Sequence, residues 1–305
     1  MVSEVRGRYA PSPTGELHLG NARTALAAWL GTRAANGTFV MRVEDLDPPR
    51  VIPGAEARLL DDLAWLGIDW DEGPYRQSER LPLFAEALDR LEGRVFGCKC
   101  TRAELKQLAS APHGVDGPVY PGTCREGGLP ALGCALRFRV APGEVCFDDL
   151  VAGSVCQDVA GQVGDFVVRR ADGLFAYQLA VVVDDALMGI NQVVRGHDLL
   201  DSTARQIQLQ EALGFPRPAY AHVPLVLDAE GNRLAKRDRA TAIRDLREAG
   251  VPAERLIGLL GWSLGLLPAP TPVAARELVA AFAWNRLETS PWRCGATDLS
   301  WLMAR

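Results

Sequence analysis

A short strand, a proline-braced turn and a helix rich in alanine and leucine open the chain, and this unit constrains the fold more than any other feature. Val5 to Ala10 reads as the strand, Pro11-Ser12-Pro13-Thr14-Gly15 as the turn, and Leu17 to Ala34 as the helix. A second strand, Phe39 to Val43, and a second helix, Ala55 to Leu66, follow. Strand alternating with helix at this spacing predicts an α/β fold, a parallel sheet with crossover helices.

The texture changes near Gly93. Gly, Pro and Cys become frequent through about Gly164, with short strand-like pieces such as Ala135 to Val140, so an insertion is expected there. Regular elements return at Phe166 to Arg169. The run Leu179 to Val183 is wholly apolar, and periodicity does not choose between buried helix and buried strand. Gln192 to Arg195 reads as a strand, and Asp201-Ser202-Thr203 offers N-cap residues for a helix ending near Gly214. Leu225 to Leu227 leads into a polar, basic loop, and patterns broken by Pro252, Pro268 and Pro291 predict a small all-helical segment after Thr241. The expected partition is a sheet domain over 1–92 and 164–240, an insertion over 93–163 and a helical domain over 241–305.

Composition bounds the function classes. With 48% apolar and 23% charged residues the chain matches an ordinary globular protein. No apolar run spans a bilayer and no basic-then-apolar start is seen, so a cytoplasmic protein without membrane contact is expected. A net charge of -5 means that a nucleic-acid partner needs a locally basic surface. Seven cysteines, an odd number, argue against a disulfide framework. Cys98, Cys100 and Cys124 are grouped; Cys134, Cys146, Cys156 and Cys294 are expected to be small buried hydrophobes.

Two loops carry chemistry. Residues Ala10 to Asn21 join a strand to a helix, which puts backbone N–H groups and the positive helix end where phosphates bind. His18 can donate to phosphate oxygens as charge builds on them, and Gly20 lets a nucleotide lie against the backbone. Far along the chain, Arg233-Leu234-Ala235-Lys236-Arg237 concentrates positive charge able to neutralise a leaving pyrophosphate. Lys236 stands out because only Lys99, Lys106 and Lys236 are lysines among the 33 basic residues. Taken singly, each loop reads as well as a structural turn or a solvated charge run.

Together the loops resemble the HIGH and KMSKS signatures of class I aminoacyl-tRNA synthetases. Arg8 to Gly15, Glu44-Asp45-Leu46-Asp47, Gln77-Ser78-Glu79-Arg80, Val182-Val183-Asp184-Asp185, Val194-Arg195-Gly196 and His222-Val223-Pro224-Leu225 are similar to the glutamyl-tRNA synthetase subgroup. Only residues 241–305 follow the lysine loop. With Asp47-Pro48-Pro49-Arg50 and Asp198 to Thr203, that length resembles the truncated paralogues, the glutamyl-queuosine tRNA(Asp) synthetases. The resemblance implies a Rossmann-like catalytic domain that activates L-glutamate with ATP and Mg2+ without tRNA. It implies transfer to the queuosine base in the anticodon of tRNA(Asp); the sequence does not give the oligomeric state, and a monomer is favoured. Two positions depart from the motifs: Asn21 stands where His is usual, and Ala235 where Ser is usual.

For the site, the resemblance implies His18 and Lys236 as catalytic residues. It implies glutamate contacts at Arg8, Tyr9, Ala10, Pro11, Ser12, Glu44, Tyr177 and Arg195. It also implies ATP contacts at His18, Gly20, Asn21, Arg233, Leu234, Ala235, Lys236 and Arg237. The chemistry agrees, since arginines fork onto carboxylates and Glu44 can take an ammonium. Three thiols at 98, 100 and 124 call for a fourth zinc ligand. His113 is the better generic donor, whereas the resemblance implies Tyr120, giving one structural Zn2+ at Cys98, Cys100, Tyr120 and Cys124. The alternatives are a compact glutamyl-tRNA synthetase charging tRNA(Glu), a non-catalytic synthetase-derived module, and a small-molecule nucleotidylyltransferase.

Overall fold

The structure is a computed structural model and describes residues 4–101, 104, 119–232 and 242–304. Seven strands form the main sheet in the order β3-β2-β1-β9-β10-β6-β7. They are β1 (Arg6–Tyr9), β2 (Thr38–Val43), β3 (Glu72–Arg76), β6 (Glu144–Asp149), β7 (Gly153–Asp158), β9 (Gln192–Gly196) and β10 (Ala219–Val223). The pairs β1–β2, β2–β3, β1–β9, β9–β10 and β10–β6 are parallel, and only the edge strand β7 runs antiparallel. In register, Arg8 lies beside Val40 and His222 beside Arg195.

A second, three-stranded antiparallel sheet joins β4 (Val95–Cys98), β5 (Ala135–Phe138) and β8 (Phe166–Arg169). The two sheets cut across the expected partition. β6 and β7 fall within 93–163 yet extend the main sheet, while β8 falls outside it yet joins the smaller sheet. The mixed exposure along β6 and β7 marks strands buried on one face only, unlike the central strands β1, β2, β9 and β10, which are buried along nearly their whole length.

Helix α1 (Leu19–Arg33) follows the first turn, and eleven of its fifteen residues are buried. A helix enclosed on nearly every side needs no polar face, which is why alanine and leucine fill it. α2 (Ala55–Trp65) and α3 (Leu81–Arg90) follow. The apolar run at 179–183 is helical, within α4 (Tyr177–Leu187), and packs among Phe84, Leu88, Phe138 and Phe166. Helix α5 (Leu200–Leu213) ends at Gly214, whose φ of 68° closes it with a left-handed cap. Its start differs from expectation. The N-cap is Leu199, because a 3-10 turn over His197–Leu199 leads in, and Ser202 and Thr203 are free to bond sideways.

The last segment is not all helical. α6 (Ile243–Glu248), α7 (Ala253–Ser263) and α8 (Ala296–Met303) are joined by 3-10 turns, and β12 (Trp292–Arg293) pairs with β11 (Val226–Leu227). Leu256, Ile257, Leu260 and Leu278 share one core with Leu26 and Leu30 of α1. Buried Arg23 fixes that junction, donating to Ser263 Oγ at 3.0 Å and to the carbonyls of Ser263 and Pro224 at 2.8 and 2.6 Å. Burial pulls its guanidinium down to about 10, although Glu288 opposes the shift. Among the described residues no helix is long and apolar enough to cross a membrane.

Candidate active site

β1 has β2 and β3 on one side and β9 and β10 on the other, so the chain leaves the ends of β1 and β9 in opposite directions. Such a switch point opens a crevice beyond the carboxyl ends of the strands. A cavity of about 650 Å³ occupies it. Arg8, Tyr9, Ala10, Pro11, Ser12, His18, Gly20, Asn21, Glu44, Tyr177 and Arg195 all line it, so the expected glutamate and nucleotide residues within the described chain meet in one cleft. Arg233, Leu234, Ala235, Lys236 and Arg237 lie outside the described residues.

The first loop is rigid by construction. Glu44 N–H donates to the Pro11 carbonyl at 2.9 Å and Ile52 N–H to the Pro13 carbonyl at 3.0 Å. His18 caps α1, with Nδ1 accepting from Asn21 N–H at 3.4 Å, which leaves the ring proton on Nε2. A Cβ at position 20 would stand 3.3 Å from the His18 ring, so glycine keeps that ring seated. The segments flanking the lysine loop meet this one. His18 bridges to Ala242, Ile243 N–H donates to the Leu17 carbonyl at 2.8 Å, and Val226 lines the cleft.

The floor of the cleft is a balanced ionic cluster. Arg8 Nε donates to Asp185 Oδ1 at 3.1 Å, and Arg42 Nη1 to the same oxygen at 2.7 Å. Arg42 Nη2 reaches Glu44 Oε1 at 3.3 Å, and Arg80 Nε reaches Asp184 Oδ1 at 2.6 Å. Burial alone would raise the Asp185 carboxyl, but Arg8 and Arg42 hold it below the usual carboxylate range. Glu44 is different: burial raises its carboxyl, and Arg42 and Arg8 only partly offset that.

Arg195 stands outside this balance. It is buried, and its three nitrogens donate to neutral groups: Nε to His222 Nε2 at 2.9 Å, Nη1 to Gln206 Oε1 at 2.7 Å and Nη2 to Thr203 Oγ1 at 2.8 Å. Among the described residues no carboxylate pairs with it. A buried cation without a counter-charge is costly, and a cleft that presents one is built for an anion.

Comparison with known proteins agrees with this geometry. The family described as tRNA synthetases class I (E and Q), catalytic domain, matches residues 4–301. The chain belongs to this family. Among relatives of the synthetase, the glutamyl-Q tRNA(Asp) synthetase of Symbiobacterium thermophilum is 48% identical, over 96% of this chain and 97% of that one. The protein of the same name from Nocardia farcinica is 50% identical over 94% and 92%. Among solved structures, the glutamate tRNA ligase of Elizabethkingia meningosepticum, in complex with its amino acid, superposes with a TM-score of 0.84 at 27% identity. That match covers 98% of this chain and 69% of the other.

The synthetase also gathers its clustered cysteines. The Sγ atoms of Cys98, Cys100 and Cys124 lie within 4.8 Å of one another, and those of Cys100 and Cys124 are 3.6 Å apart. The Tyr120 hydroxyl is 3.6 Å from Cys98 Sγ and accepts from Cys124 N–H at 2.8 Å. A tetrahedral zinc with Zn–S bonds of about 2.3 Å sets sulfurs about 3.8 Å apart, so the donor set fits the ion. His113 lies outside the described residues. One cysteine expectation fails. Cys134 and Cys294 are buried, but Cys146 and Cys156 are exposed and form a disulfide across β6 and β7. They are directly paired in register, a relation that depends on strand pairing and leaves no trace in their spacing.

Sequence reasoning missed the residues behind the cleft. Asp185, His222 and Thr203 sit inside motifs already singled out, Arg42 does not, and Asp149 and Gln206 carry no signal of their own. The one charge in the apolar run Phe39 to Val43 could have flagged Arg42 as a buried cation.

Proposed function

We propose that this enzyme activates L-glutamate with ATP, forming an enzyme-bound adenylate without tRNA, and transfers the glutamyl group to queuosine in the anticodon of tRNA(Asp). Arg195, a buried guanidinium with no carboxylate partner among the described residues, carries the reading: it matches the side-chain carboxylate of glutamate and has no use for the amide of glutamine. Arg8 meets the α-carboxylate end, Glu44 the ammonium, and Tyr177 adds a hydroxyl. An α-carboxylate oxygen then bonds to the α-phosphorus of ATP as the bond to pyrophosphate breaks. His18 donates a hydrogen bond to the phosphates and Lys236 neutralises charge on them, so the chain supplies position and electrostatics and no nucleophile. In transfer a hydroxyl oxygen of the queuosine base bonds to the glutamyl carbonyl carbon and loses its proton, as the acyl–phosphate bond breaks and AMP leaves. Coverage of nearly the whole length of relatives named for this reaction supports the choice of acceptor.

The deciding experiment supplies ATP and labelled glutamate with queuosine-containing tRNA(Asp), against tRNA(Asp) carrying guanosine. Label is expected on the first only and to survive periodate oxidation of the 3′ end before the reaction. Equal labelling of both overturns base-specific transfer. Label that vanishes after 3′ blocking shows charging of the terminal ribose instead, the compact glutamyl-tRNA synthetase reading that the 0.84 superposition also supports.

Glu44 gives a pH prediction. Its carboxyl is raised by burial, and only the charged form receives an ammonium. Falling pH therefore protonates Glu44 before ordinary carboxylates and weakens glutamate binding. In ATP–pyrophosphate exchange, KM for glutamate is expected to rise on acidification at a pH above the usual carboxylate range. Glu44→Gln is expected to raise KM at neutral pH and flatten that dependence; an unchanged pH profile in the variant rejects the assignment.

The thiol cluster is proposed to hold one zinc through Cys98, Cys100, Cys124 and Tyr120, stapling β4 to the segment before β5. Metal analysis of the purified chain is expected to give one zinc per protein. Cys124→Ser is expected to lose most of it and to lower the melting temperature, while stoichiometric zinc in that variant rules these ligands out.

A further inference from the structure

Behind Arg195 lies a relay that touches no part of the cleft. His222 and Asp149 are both inaccessible at their side chains, and His222 Nδ1 lies 2.6 Å from Asp149 Oδ2. The other carboxylate oxygen, Oδ1, accepts three backbone N–H groups: Val151 at 3.0 Å, Ala152 at 2.8 Å and His222 itself at 3.1 Å. Asp149 therefore has only acceptors to offer. Burial alone would raise its carboxyl, but the bonds from His222 and the backbone hold it below the usual range. His222 must put its proton on Nδ1, which leaves a lone pair on Nε2. Arg195 Nε donates to that lone pair at 2.9 Å, and Thr203 Oγ1 lies 3.2 Å from the same nitrogen.

Arg195 has five N–H donors. Three are spent on His222, Gln206 and Thr203, and two remain for a carboxylate in the cleft. Every fixed partner is neutral, so the guanidinium is oriented without being neutralised. An acidic side chain in place of His222 would orient it as well but would cancel the charge the substrate needs. Burial, opposed by the bond to Asp149, pulls His222 down to about 4, which keeps it uncharged at neutral pH.

We infer that Asp149 and His222 are positioning residues for glutamate recognition: Asp149 fixes the His222 tautomer, and the tautomer fixes the Arg195 guanidinium. The inference rests on the reading that Arg195 meets the glutamate side chain, and deepens it by naming what sets substrate selectivity.

Asp149→Asn makes a sharp test. The three backbone N–H groups demand an oxygen at Oδ1, so the new amide must turn its NH2 toward His222 Nδ1. His222 then accepts there and carries its proton on Nε2, pointing it at the Arg195 Nε–H. Donor faces donor, and Arg195 loses its orientation. Glutamate KM in ATP–pyrophosphate exchange is expected to rise about 30-fold, with ATP KM and kcat within about threefold of wild type. His222→Gln keeps an acceptor for Arg195 that has no tautomer, and is expected to retain glutamate KM within about fivefold. In that background Asp149→Asn is expected to add almost nothing, because its route through the imidazole is gone. A full penalty in the double variant, or an unchanged glutamate KM in a folded Asp149→Asn enzyme, overturns the relay.

Should Asp149→Asn fail to fold, 15N imidazole shifts of the wild-type chain decide. A protonated Nδ1 on His222 supports the relay, and a protonated Nε2 overturns it. Wild-type enzyme that shows no glutamate-dependent exchange rejects the underlying reading instead, whatever the tautomer.

Discussion

Arg195→Ala is expected to raise KM for glutamate by about 100-fold or more in ATP–pyrophosphate exchange. Two donors of Arg195 remain for the substrate, and each hydrogen bond to a charged group is worth about 1.5–3 kcal/mol. Their joint loss spans about 3–6 kcal/mol, and each 1.4 kcal/mol is about a tenfold change. The effect falls on the bound substrate and the transition state alike, since the side-chain carboxylate does not react. KM therefore carries most of it, and kcat changes little. Discrimination should collapse as well, because glutamine draws no comparable benefit from the cation. The ratio of kcat/KM for glutamate over glutamine is expected to move toward unity. Stability is expected to change little: removing a buried cation that no described carboxylate pairs relieves a desolvation cost, while Gln206, Thr203 and His222 lose their donor. A melting temperature close to wild type alongside a large KM effect separates recognition from folding. A glutamate KM within threefold of wild type would remove Arg195 from the substrate site.

The outline of the site was legible in sequence because its signals are local. A strand, a turn and a helix in succession place residues 8–21 at a sheet edge whatever lies elsewhere, and the cleft forms there. What escaped depends on contacts between distant segments. Asp149 belongs to a strand inside what reads as an insertion, and only its pairing with β10 brings it beside His222, 73 residues away. The run at 179–183 has the β-branched composition of a buried strand, yet it forms a helix, because total burial erases the periodicity that separates the two. The disulfide followed the same logic: a hairpin register set Cys146 opposite Cys156, where a count of cysteines argued for none. Ser202 and Thr203 look like helix caps but serve as lateral hydrogen-bond partners, since a preceding 3-10 turn had already begun the helix. Local chemistry marked the site, and tertiary pairing decided what stands behind it.

Asp185→Leu should be the most destabilising single change at the cleft, lowering the unfolding free energy by about 3–5 kcal/mol. Leucine keeps the γ-branched outline of aspartate but is larger, so packing adds to the penalty without setting most of it. What sets most of it is the pair of guanidiniums left behind. Arg8 and Arg42 both donate to Asp185 Oδ1, and both are buried. Arg42 would retain Glu44 at 3.3 Å and Asp184 at 3.8 Å, but among the described residues Arg8 would keep only the Val194 carbonyl at 3.0 Å as a hydrogen-bond partner. An ion cluster of this kind contributes little net stability as a whole, because desolvation offsets attraction; breaking it leaves charge that nothing offsets. The sign with pH follows from the Asp185 carboxyl, which its arginines hold below the usual range. A depressed carboxyl contributes stability above its unfolded pKa of about 3.9, and that contribution is lost as pH falls through the lower folded value. The difference between wild type and variant should therefore stay constant from pH 6 to 9 (about two units or more above that carboxyl) and shrink only in acid. Urea unfolding across that range measures it directly. Arg8 would also swing free of its anchor, so glutamate KM should rise together with the loss of stability. A variant as stable as wild type would mean that Arg8 finds another anion in the folded chain, and the cluster would no longer explain how Arg8 is held at the cleft.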